Sequence, residues 1–466
     1  MRLFHDQIDF HIYQEGEKIM KLSKLFAVLV VLSMLLAACG QAAPTTAVEE
    51  PTATDAPAAE VPAATDAPVT EPVNLTLSFW GSDLDTQVYQ ERVNMFMEKN
   101  PDIKVELLYI PSDYSQKVQT MIAGGTAPDV IQLSEDVHSY SSKGQIISLN
   151  DFVAKDSLDL KARYGETGGL TTAYSLDGNL YAMPDRGGAL ILYYNKDMFD
   201  AAGVSYPTKD WTWVEFLDAT QKLTVREGDA VTQYGFAAGG WWPWWMSFIY
   251  MNGGAVLDAS GQPVVNSPEA VEAIQFYNDL VYKYRVAPSP EDYANLGTNS
   301  PDPLFAQGKV AMSTTGFWGI GGLKDATFNW DIAPLFKNKQ NATVVFGSGL
   351  AISKDCKNPE AAWKLIEFLT SEEGQAPIVE FKQDAPANIA NLSSDAFLNQ
   401  SWSNQPINMA ALGESANAAF ALPLSPKWNE MMSIFDTNLG EVFANRAEVQ
   451  PTMDAIQEQL VDLFAQ

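Results

Sequence analysis

The chain is poor in the residues that build disulfides, histidine sites and nucleic-acid surfaces. Its 466 residues include 2 cysteines and 3 histidines, and Lys plus Arg total 29 against 58 for Asp plus Glu, which gives a formal net charge of −29. So acidic a chain repels phosphate backbones, and we expect no nucleic-acid partner. Cys39 lies in the processing signal described below, so Cys356 has no disulfide partner and the fold depends on its apolar core.

The scarcity of histidine limits the metal sites and catalytic sites that the chain could form. His5 and His11 precede Met20, where we expect translation to begin, so a histidine metal site or a Ser-His-Asp triad would rest on His138 alone. The sequence also offers no Gly-rich phosphate loop and no nucleophile elbow. We therefore expect no metal, no cofactor and no catalytic residue, and we expect His138 to lie at the surface or to pack between lobes.

An apolar stretch near the N-terminus predicts an export signal. Leu25 to Ala38 is an apolar run of 14 residues behind Lys21 and Lys24. This is the layout of a secretory signal, and it is too short for the roughly 20 residues of a membrane-spanning helix. Residues 1–19 are polar and of mixed charge, unlike the start of a signal, so we place the true start at Met20. Residues 1–38 are thus predicted to be a signal peptide.

The signal ends in Leu36-Ala37-Ala38-Cys39-Gly40, which resembles the bacterial lipobox. The resemblance implies that Cys39 becomes the first mature residue and carries acyl chains that anchor the protein to a membrane, facing a periplasm or the outside. Residues 39–72 are rich in Ala, Pro, Thr and acidic residues and contain Ala-Thr-Asp-Ala-Pro twice, so they cannot bury a core. We expect a lipidated, disordered linker that leads to an extracytoplasmic body.

The remainder of the chain predicts an α/β fold. Apolar residues alternate from Val73 to Phe79, recur at helical spacing from Val88 to Met97, and alternate again from Ile103 to Ile110. Such a strand-helix-strand unit favours a parallel sheet, and a chain of this length favours two lobes. Further predicted helices are Tyr114 to Ala123, Lys196 to Ala202, Trp213 to Leu223, Val271 to Tyr284, Pro359 to Thr370 and Met453 to Phe464, and further predicted strands are Asp129 to Leu133, Leu190 to Tyr194 and Gly235 to Ala238.

Five stretches in order along the chain carry a family resemblance. They are Gly124-Gly125-Thr126-Ala127-Pro128-Asp129-Val130, Tyr193-Tyr194-Asn195-Lys196-Asp197-Met198-Phe199, Trp211-Thr212-Trp213-Val214-Glu215-Phe216, Phe305-Ala306-Gln307-Gly308-Lys309-Val310-Ala311-Met312 and Gly347-Ser348-Gly349-Leu350-Ala351-Ile352-Ser353. Together they resemble the carbohydrate-binding extracellular solute-binding proteins of ATP-binding-cassette (ABC) importers, the group that includes maltose-binding protein. The resemblance runs from about Val73 to Leu463, nearly the whole folded part.

The resemblance implies a two-lobe periplasmic-binding-protein-like fold of type II with hinge crossovers. Lobe 1 would comprise residues 73–184 and 349–386, and lobe 2 residues 185–348 and 387–466. The implied function is to capture a sugar or oligosaccharide between the lobes and deliver it to the permease subunits of the importer, as a monomer and without catalysis. The implied hinges lie near Ala182 to Gly188, Val345 to Gly349 and Ala385 to Ala390.

Tryptophans and strand-end acids are the candidate ligand contacts. Four indoles surround Pro243 between Trp241 and Trp245, a density that cannot all face inward, so Trp241 or Trp242 is expected to contact ligand. Because ligands of open α/β sheets bind beyond the carboxyl ends of the strands, the residues after Phe79 and Leu133 are expected at the cleft rim. The predicted ligand-binding set is Trp80, Ser82, Asp83, Glu135, Asp136, Arg186, Trp241, Trp242, Trp318, Gly347, Ser348 and Trp428.

Several members of this set are implied by the resemblance. It suggests stacking roles for Trp318 and Trp428 and a rim position for Asp136, and it places Arg186 at a hinge, where its guanidinium either donates to a sugar or pairs with an acid. Gly188 stands where the maltose binder has a glutamate, so that binder's sugar contacts do not transfer directly. Trp211, Trp213, Trp330 and Trp363 are expected in the core.

Two alternatives stay open at this point. The same fold could bind another solute, such as a peptide, a polyamine or glycerol phosphate, although few basic residues are available near the expected cleft for a phosphate. A secreted glycoside hydrolase would need two opposed carboxylates, and none of the motifs marks such a pair. Sugar-induced stabilisation without turnover distinguishes a sugar receptor from both.

Overall fold

The computed structural model describes residues 72–165, 169–402, 405–420 and 422–465. The predicted signal peptide, Cys39 and the linker as far as residue 71 lie outside the described residues. Within the described ranges, no helix has both the length and the apolar character needed to cross a membrane.

The predicted strand-helix-strand unit is confirmed and forms part of the largest sheet, which has six strands. Val73–Phe79 pairs in parallel with Ile103–Tyr109, from Val73 opposite Ile103 to Phe79 opposite Tyr109. On its other side it pairs in parallel with Val130–Leu133. The helix between the first two strands, Asp83–Lys99, starts five residues before the predicted Val88, because Ser82 and Asp85 form a capping box at its first turn.

The strand Thr343–Ile352 joins the two halves of the body. Its carboxyl half runs antiparallel to Val130–Leu133. Along most of its length it also runs antiparallel to Met183–Ala189, with a shift in register between Ser348 and Gly349. An isolated bridge between Arg186 and Pro386 brings a third chain segment to the same place. These crossings coincide with the hinges that the family resemblance implied.

A smaller antiparallel sheet lies in the second half of the body. Ile191–Asn195 is its central strand, between Met312–Thr315 and Trp330–Ala333. The remaining strands form short antiparallel pairs: Ser175–Leu176 with Asn179–Leu180, Val225–Glu227 with Ala230–Gln233, and Ser401–Trp402 with Gln405–Pro406. Ala419–Phe420 pairs with Thr343–Ile352 and forms one edge of the large sheet.

Helices cover both sheets. Tyr114–Ala123, Lys196–Ala202 and Trp213–Leu223 match their predicted bounds to the residue, and Thr212 and Glu215 form a capping box that starts the last of them. The other helices are Val137–Ser142, Asn150–Lys155, Leu160–Tyr164, Gly169–Ala173, Trp242–Met251, Pro268–Tyr282, Pro290–Asn295, Pro301–Ala306, Pro359–Leu369, Glu372–Glu380, Ile389–Leu392, Asp395–Leu398, Ala410–Ala416, Trp428–Phe443 and Val449–Ala465, with a 3₁₀ helix at Phe317–Leu323.

One predicted strand, Gly235 to Ala238, is wrong. The segment makes single bridges from Tyr234 to Val310 and from Ala237 to Ser313. It forms no ladder because its amides bond to separate elements: Phe236 N donates to Val286 O at 3.0 Å, whereas Ala237 N donates to Met312 O at 3.0 Å.

The apolar core divides on either side of the joining strands. One cluster gathers buried residues from Leu75 to Met183 and from Leu350 to Leu369. A second gathers residues from Leu190 to Phe346 and from Trp428 to Leu460, and a third, around Tyr193 and Phe317, adjoins the smaller sheet. The body is therefore two-lobed, and we call the half built on the large sheet lobe 1 and the half built on the smaller sheet lobe 2.

Candidate ligand-binding cleft

A cavity of about 690 Å³ lies between the strand ends of lobe 1 and the tryptophan-bearing face of lobe 2. Its volume is in the range of small-molecule sites. Seven residues of the predicted ligand-binding set line it: Trp80, Ser82, Arg186, Trp241, Trp318, Gly347 and Ser348.

Aromatic rings form one wall of the cavity. Trp241 is 42% exposed, and its ring packs edge to face on Trp318 and Phe346, with centroids 6.1 and 5.5 Å away. Trp241 is the N-cap of the helix Trp242–Met251, so its side chain escapes the inward-facing pattern of the helix that follows. The position of Trp318 depends on Gly316, where a Cβ would lie 1.7 Å from the indole. Trp241 and Trp318 therefore both place their indole rings on the lobe 2 side of the cavity.

Trp242 and Trp428, also in the predicted set, do not reach the cavity. They are 5% and 4% exposed and belong to the core of lobe 2, with ring centroids 5.3 Å apart. Trp242 also packs 5.2 Å from Phe346, which lines the cavity. Both indoles therefore belong to the core layer of lobe 2 that packs beneath the aromatic residues of the cavity wall. Of the four tryptophans that surround Pro243, only Trp241 lines the cleft among the described residues.

Trp80 is positioned on the lobe 1 side by a buried amide. The Trp80 backbone N donates to Gln132 Oε1 at 3.1 Å, and Gln132 Nε2 donates to Ser348 Oγ at 2.9 Å. Gln132 is buried and lies on a strand of the large sheet. One side chain thus links Trp80, at the end of one strand, to Ser348, in the middle of another, and both residues line the same cavity.

Arg186 pairs with an acid, as one of its two predicted roles requires, and it also lines the cavity. Its guanidinium forms a short ion pair with Asp85 and lies 3.4 Å from Ser348 Oγ. Burial would raise the pKa of Asp85, but the Arg186 charge and the hydrogen bonds from Ser82 outweigh it and lower that pKa. Asp85 also accepts from Gln383 Nε2 at 2.6 Å. The cation at the hinge is therefore largely satisfied by the protein itself.

Three acceptors that sequence reasoning missed also line the cleft. Asp302 accepts from Thr315 Oγ1 at 3.1 Å with one oxygen, whereas its buried Oδ1 has no hydrogen-bond partner among the described residues, and the same is true of Gln383 Oε1. Burial raises the pKa of Asp302 to about 6, although the Thr315 hydroxyl and the nearby Trp318 indole N–H oppose that rise. Burial also raises the pKa of Asp384 to about 7, although the nearby Arg186 opposes that rise.

Weak signals for these residues exist in the sequence. Asp302 stands between two prolines at the start of a helix, just before the matched stretch from Phe305 to Met312. Gln383 and Asp384 directly precede the implied hinge at Ala385. Neither signal distinguishes a cleft residue from an ordinary surface acid.

The remaining predicted acids do not line the cavity. Asp83 is exposed on the first turn of its helix. Asp136 is buried and accepts from Ser115 Oγ at 2.7 Å, and burial raises the pKa of Glu135 to about 7. Ser134, one residue closer to the strand, lines the cavity instead and donates to Gly347 O at 2.7 Å. The topological argument located the strand end after Leu133 but not the residue there that lines the cavity.

The predicted core tryptophans and His138 can also be placed. Trp213, Trp330 and Trp363 are buried, Trp211 is half-buried against the lobe 2 core, and His138 is buried on the short helix Val137–Ser142. In the described ranges, no three His, Cys, Asp or Glu side chains are grouped to hold a metal ion.

Two relatives of known binding activity align with most of the body. The maltotriose-binding protein of Pyrococcus abyssi is 23% identical over 393 residues, which cover 81% of this chain and 79% of that protein. The arabinooligosaccharide-binding protein of Bacillus subtilis is 26% identical over 322 residues, which cover 64% of this chain and 70% of that protein.

Among solved structures, an ABC substrate-binding protein of Listeria monocytogenes in complex with cycloalternan superimposes with a TM-score of 0.78 at 29% identity. The match covers 84% of this chain and 99% of the other. Residues 81–376 match the family model described as bacterial extracellular solute-binding protein. That match spans more than half of the sequence. It agrees with the two lobes, the three chain segments that cross between them and the cleft that they enclose. The chain therefore belongs to the bacterial extracellular solute-binding protein family.

Proposed function

We propose that this protein is the extracytoplasmic sugar receptor of an ABC importer, which captures a sugar or oligosaccharide in the cleft and delivers it to the permease. The observation that carries the proposal is the pairing of three tryptophans, Trp80, Trp241 and Trp318, with the free acceptors of Asp302 and Gln383 around one cavity. The carbohydrate ligands named for the relatives support the same assignment.

Sugar chemistry matches these groups. A pyranose presents C–H faces that pack on aromatic rings and hydroxyl groups that donate hydrogen bonds at its rim. The cleft supplies rings on both lobes, and its unused polar atoms are acceptors, since the Arg186 guanidinium is already bonded to Asp85 and Ser348. A ligand rich in donors therefore satisfies buried oxygens that otherwise have no partner.

The same groups disfavour an anionic cargo such as glycerol phosphate. A phosphate in this cavity would face Asp302 and Asp384. Arg186 is the one lysine or arginine among the described lining residues, and Asp85 already neutralises it. An isolated anion so placed is desolvated without compensation.

We further propose how capture is coupled to delivery. The lobes, 73–184 with 349–386 and 185–348 with 387–466, rotate about the crossings, and a ligand that touches both favours the closed form, which the permease recognises. The mature protein is a monomer, held at the membrane by lipid on Cys39 and by the linker that follows. Its family consists of binding proteins, and the cargo leaves unchanged.

Thermal-shift screening tests this proposal, since a ligand that binds only the folded state raises the melting temperature. The purified protein is screened against mono- and oligosaccharides, peptides, polyamines and glycerol phosphate, and calorimetry follows up each positive result. A selective rise with one sugar class, with that sugar recovered intact by chromatography, supports the proposal. A response to a non-sugar alone, or hydrolysis of the sugar, overturns it.

A further inference from the structure

A second cavity, of about 390 Å³, lies beside residues 238–240, directly before Trp241. The helices Pro268–Tyr282, Pro290–Asn295 and Trp428–Phe443 supply most of its walls. None of its lining residues lines the cleft between the lobes. This cavity is therefore a separate concave site within lobe 2, of a volume typical of small-ligand pockets.

Asn278 gives the cavity an unsatisfied acceptor. Its side chain is 8% exposed and lines the cavity, and its Oδ1 is buried without a hydrogen-bond partner among the described residues. Buried carboxamide oxygens are nearly always bonded, because leaving one unpaired costs about 1–3 kcal/mol. Asn278 thus contributes a buried, unpaired acceptor to the wall of the cavity.

Tyr277, Tyr293 and Phe443 also line the cavity, and both phenol hydroxyls already form hydrogen bonds. Tyr277 OH donates to Gly239 O at 2.7 Å, and Tyr293 OH donates to Ala238 O at 2.8 Å. The ring of Phe443 stands at 64° to that of Tyr277, with centroids 5.6 Å apart. With their hydroxyls turned to the backbone, the tyrosines offer the cavity mainly π surface.

Asp436 is the one charged residue among the described residues that line the cavity. Asp436 lines the cavity, and although the residue is exposed overall, partial burial raises the pKa of its carboxyl. The described lining contains no lysine, arginine or histidine. Any anionic ligand would therefore meet a carboxylate with no compensating cation, whereas a cation would meet a complementary one.

We propose that this cavity is a second ligand site, which binds a small organic cation with its alkylammonium head among Tyr277, Tyr293 and Phe443. Aromatic faces attract such cations, and quaternary ammonium groups in particular. Asp436 supplies the counter-charge, and Asn278 Oδ1 accepts from a primary ammonium or contacts the positive methyl groups of a quaternary one.

Calorimetry with two ligands of matched shape tests the site. Choline carries a quaternary ammonium, and 3,3-dimethyl-1-butanol replaces it by a neutral tert-butyl group of nearly the same shape. We expect choline to bind with one-to-one stoichiometry and the alcohol to bind at least about 10-fold more weakly, in line with a desolvated cation–π contact. Asp436→Asn should weaken choline binding about fivefold or more, whereas Asp462→Asn, which removes an exposed acid from another helix of lobe 2, should leave it unchanged.

Equal binding of the two ligands, the absence of any choline binding, or equal effects of the two charge-removing variants would overturn the proposal. Asp436 is exposed, so its variant can be expected to fold, which a melting curve checks. Trp318→Ala supplies the control for location, since it alters the cleft and not this cavity. Choline binding should survive that substitution, and its loss would place choline in the cleft and contradict a second site.

Discussion

The Nη2 atom of Arg92 lies 2.5 Å from Oδ1 of Asp185, and both side chains are almost wholly buried. Tyr89 OH donates to the other carboxylate oxygen at 2.8 Å, and Gln375 Nε2 donates to the Asp185 carbonyl at 2.6 Å. Two helices of lobe 1, Asp83–Lys99 and Glu372–Glu380, therefore hold the residue that immediately precedes Arg186. This anchor fixes the backbone from which Arg186 enters the cleft.

Asp185→Asn should strongly destabilise the fold, because it leaves the Arg92 guanidinium buried without a counter-charge. We expect a loss of about 3 kcal/mol in the free energy of unfolding, measured by urea titration. The exposed pair Lys99–Glu373 joins the same two helices and provides the control. Glu373→Gln should cost less than about 1 kcal/mol, and a similar loss in the two variants would contradict a special role for the buried pair.

Trp318→Ala and Trp241→Ala should weaken sugar binding about 10-fold or more while leaving the melting temperature nearly unchanged. Each removes a ring from the cleft wall, and aromatic anchors carry a large share of binding energy. Phe381 is exposed to a similar extent as Trp241, at 40% against 42%, but lies outside the cavity lining. Phe381→Ala should bind sugar normally, and unchanged affinity in both tryptophan variants would refute the proposed site.

Asp384→Asn should weaken sugar binding and yet stabilise the free protein at neutral pH. Burial raises the folded-state pKa of Asp384 from its ordinary value of 3.8 to about 7, so the folded state binds a proton more tightly than the unfolded state does. The carboxyl therefore costs stability progressively as the pH rises from about 4 to about 7. The asparagine variant lacks this cost.

Urea unfolding at several pH values checks that sign. The stability of the variant relative to the parent should rise between pH values of about 4 and 7 and then level off. A difference that stays flat over this window would show that Asp384 does not titrate with a raised pKa. Sugar affinity of the parent should fall as the pH drops through the same window, because a protonated carboxyl accepts hydroxyl donors less well.

Gly347→Ala should disrupt the hinge. A Cβ at Gly347 would lie 2.1 Å from the carbonyl oxygen of Arg186, so the two crossing strands would have to separate. Overpacking of this kind costs about 1–3 kcal/mol, which urea unfolding would measure, and it should also lower sugar affinity. Gly413 stands in a helix with open space around its Cα. Gly413→Ala should be neutral or stabilising, and a neutral Gly347→Ala would argue against a close hinge contact.

Local signals explain why much of the fold could be predicted from the sequence. The capping box of Thr212 and Glu215 predicts the start of the helix Trp213–Leu223. The helix Lys196–Ala202 ends at Gly203, whose φ of 63° favours glycine. Such signals act within a few residues, so one sequence suffices to read them. The failure at Gly235 to Ala238 shows the limit, since its apolar residues are buried by tertiary contacts rather than by a ladder.

The cleft was only partly predictable, for a different reason. Trp241 and Trp242 are chemically identical neighbours, and only the start of a helix decides that one lines the cavity while the other packs in the core. Asp302 and Asp384 are 82 positions apart in the sequence. Both line the same cavity only because of how the lobes are assembled, and no local sequence pattern encodes that assembly.

The strand Thr343–Ile352 is shared by both lobes through a ladder with Met183–Ala189, which makes the hinge a continuous ribbon rather than a pair of loose loops. The one irregular point of this ladder is the shift in register between Ser348 and Gly349, so we expect bending between the lobes to be concentrated there. In the closure proposed above, bound cargo would bend this ribbon, and the hydrogen bonds of the ladder would favour the return of the lobes to their original angle after the cargo leaves.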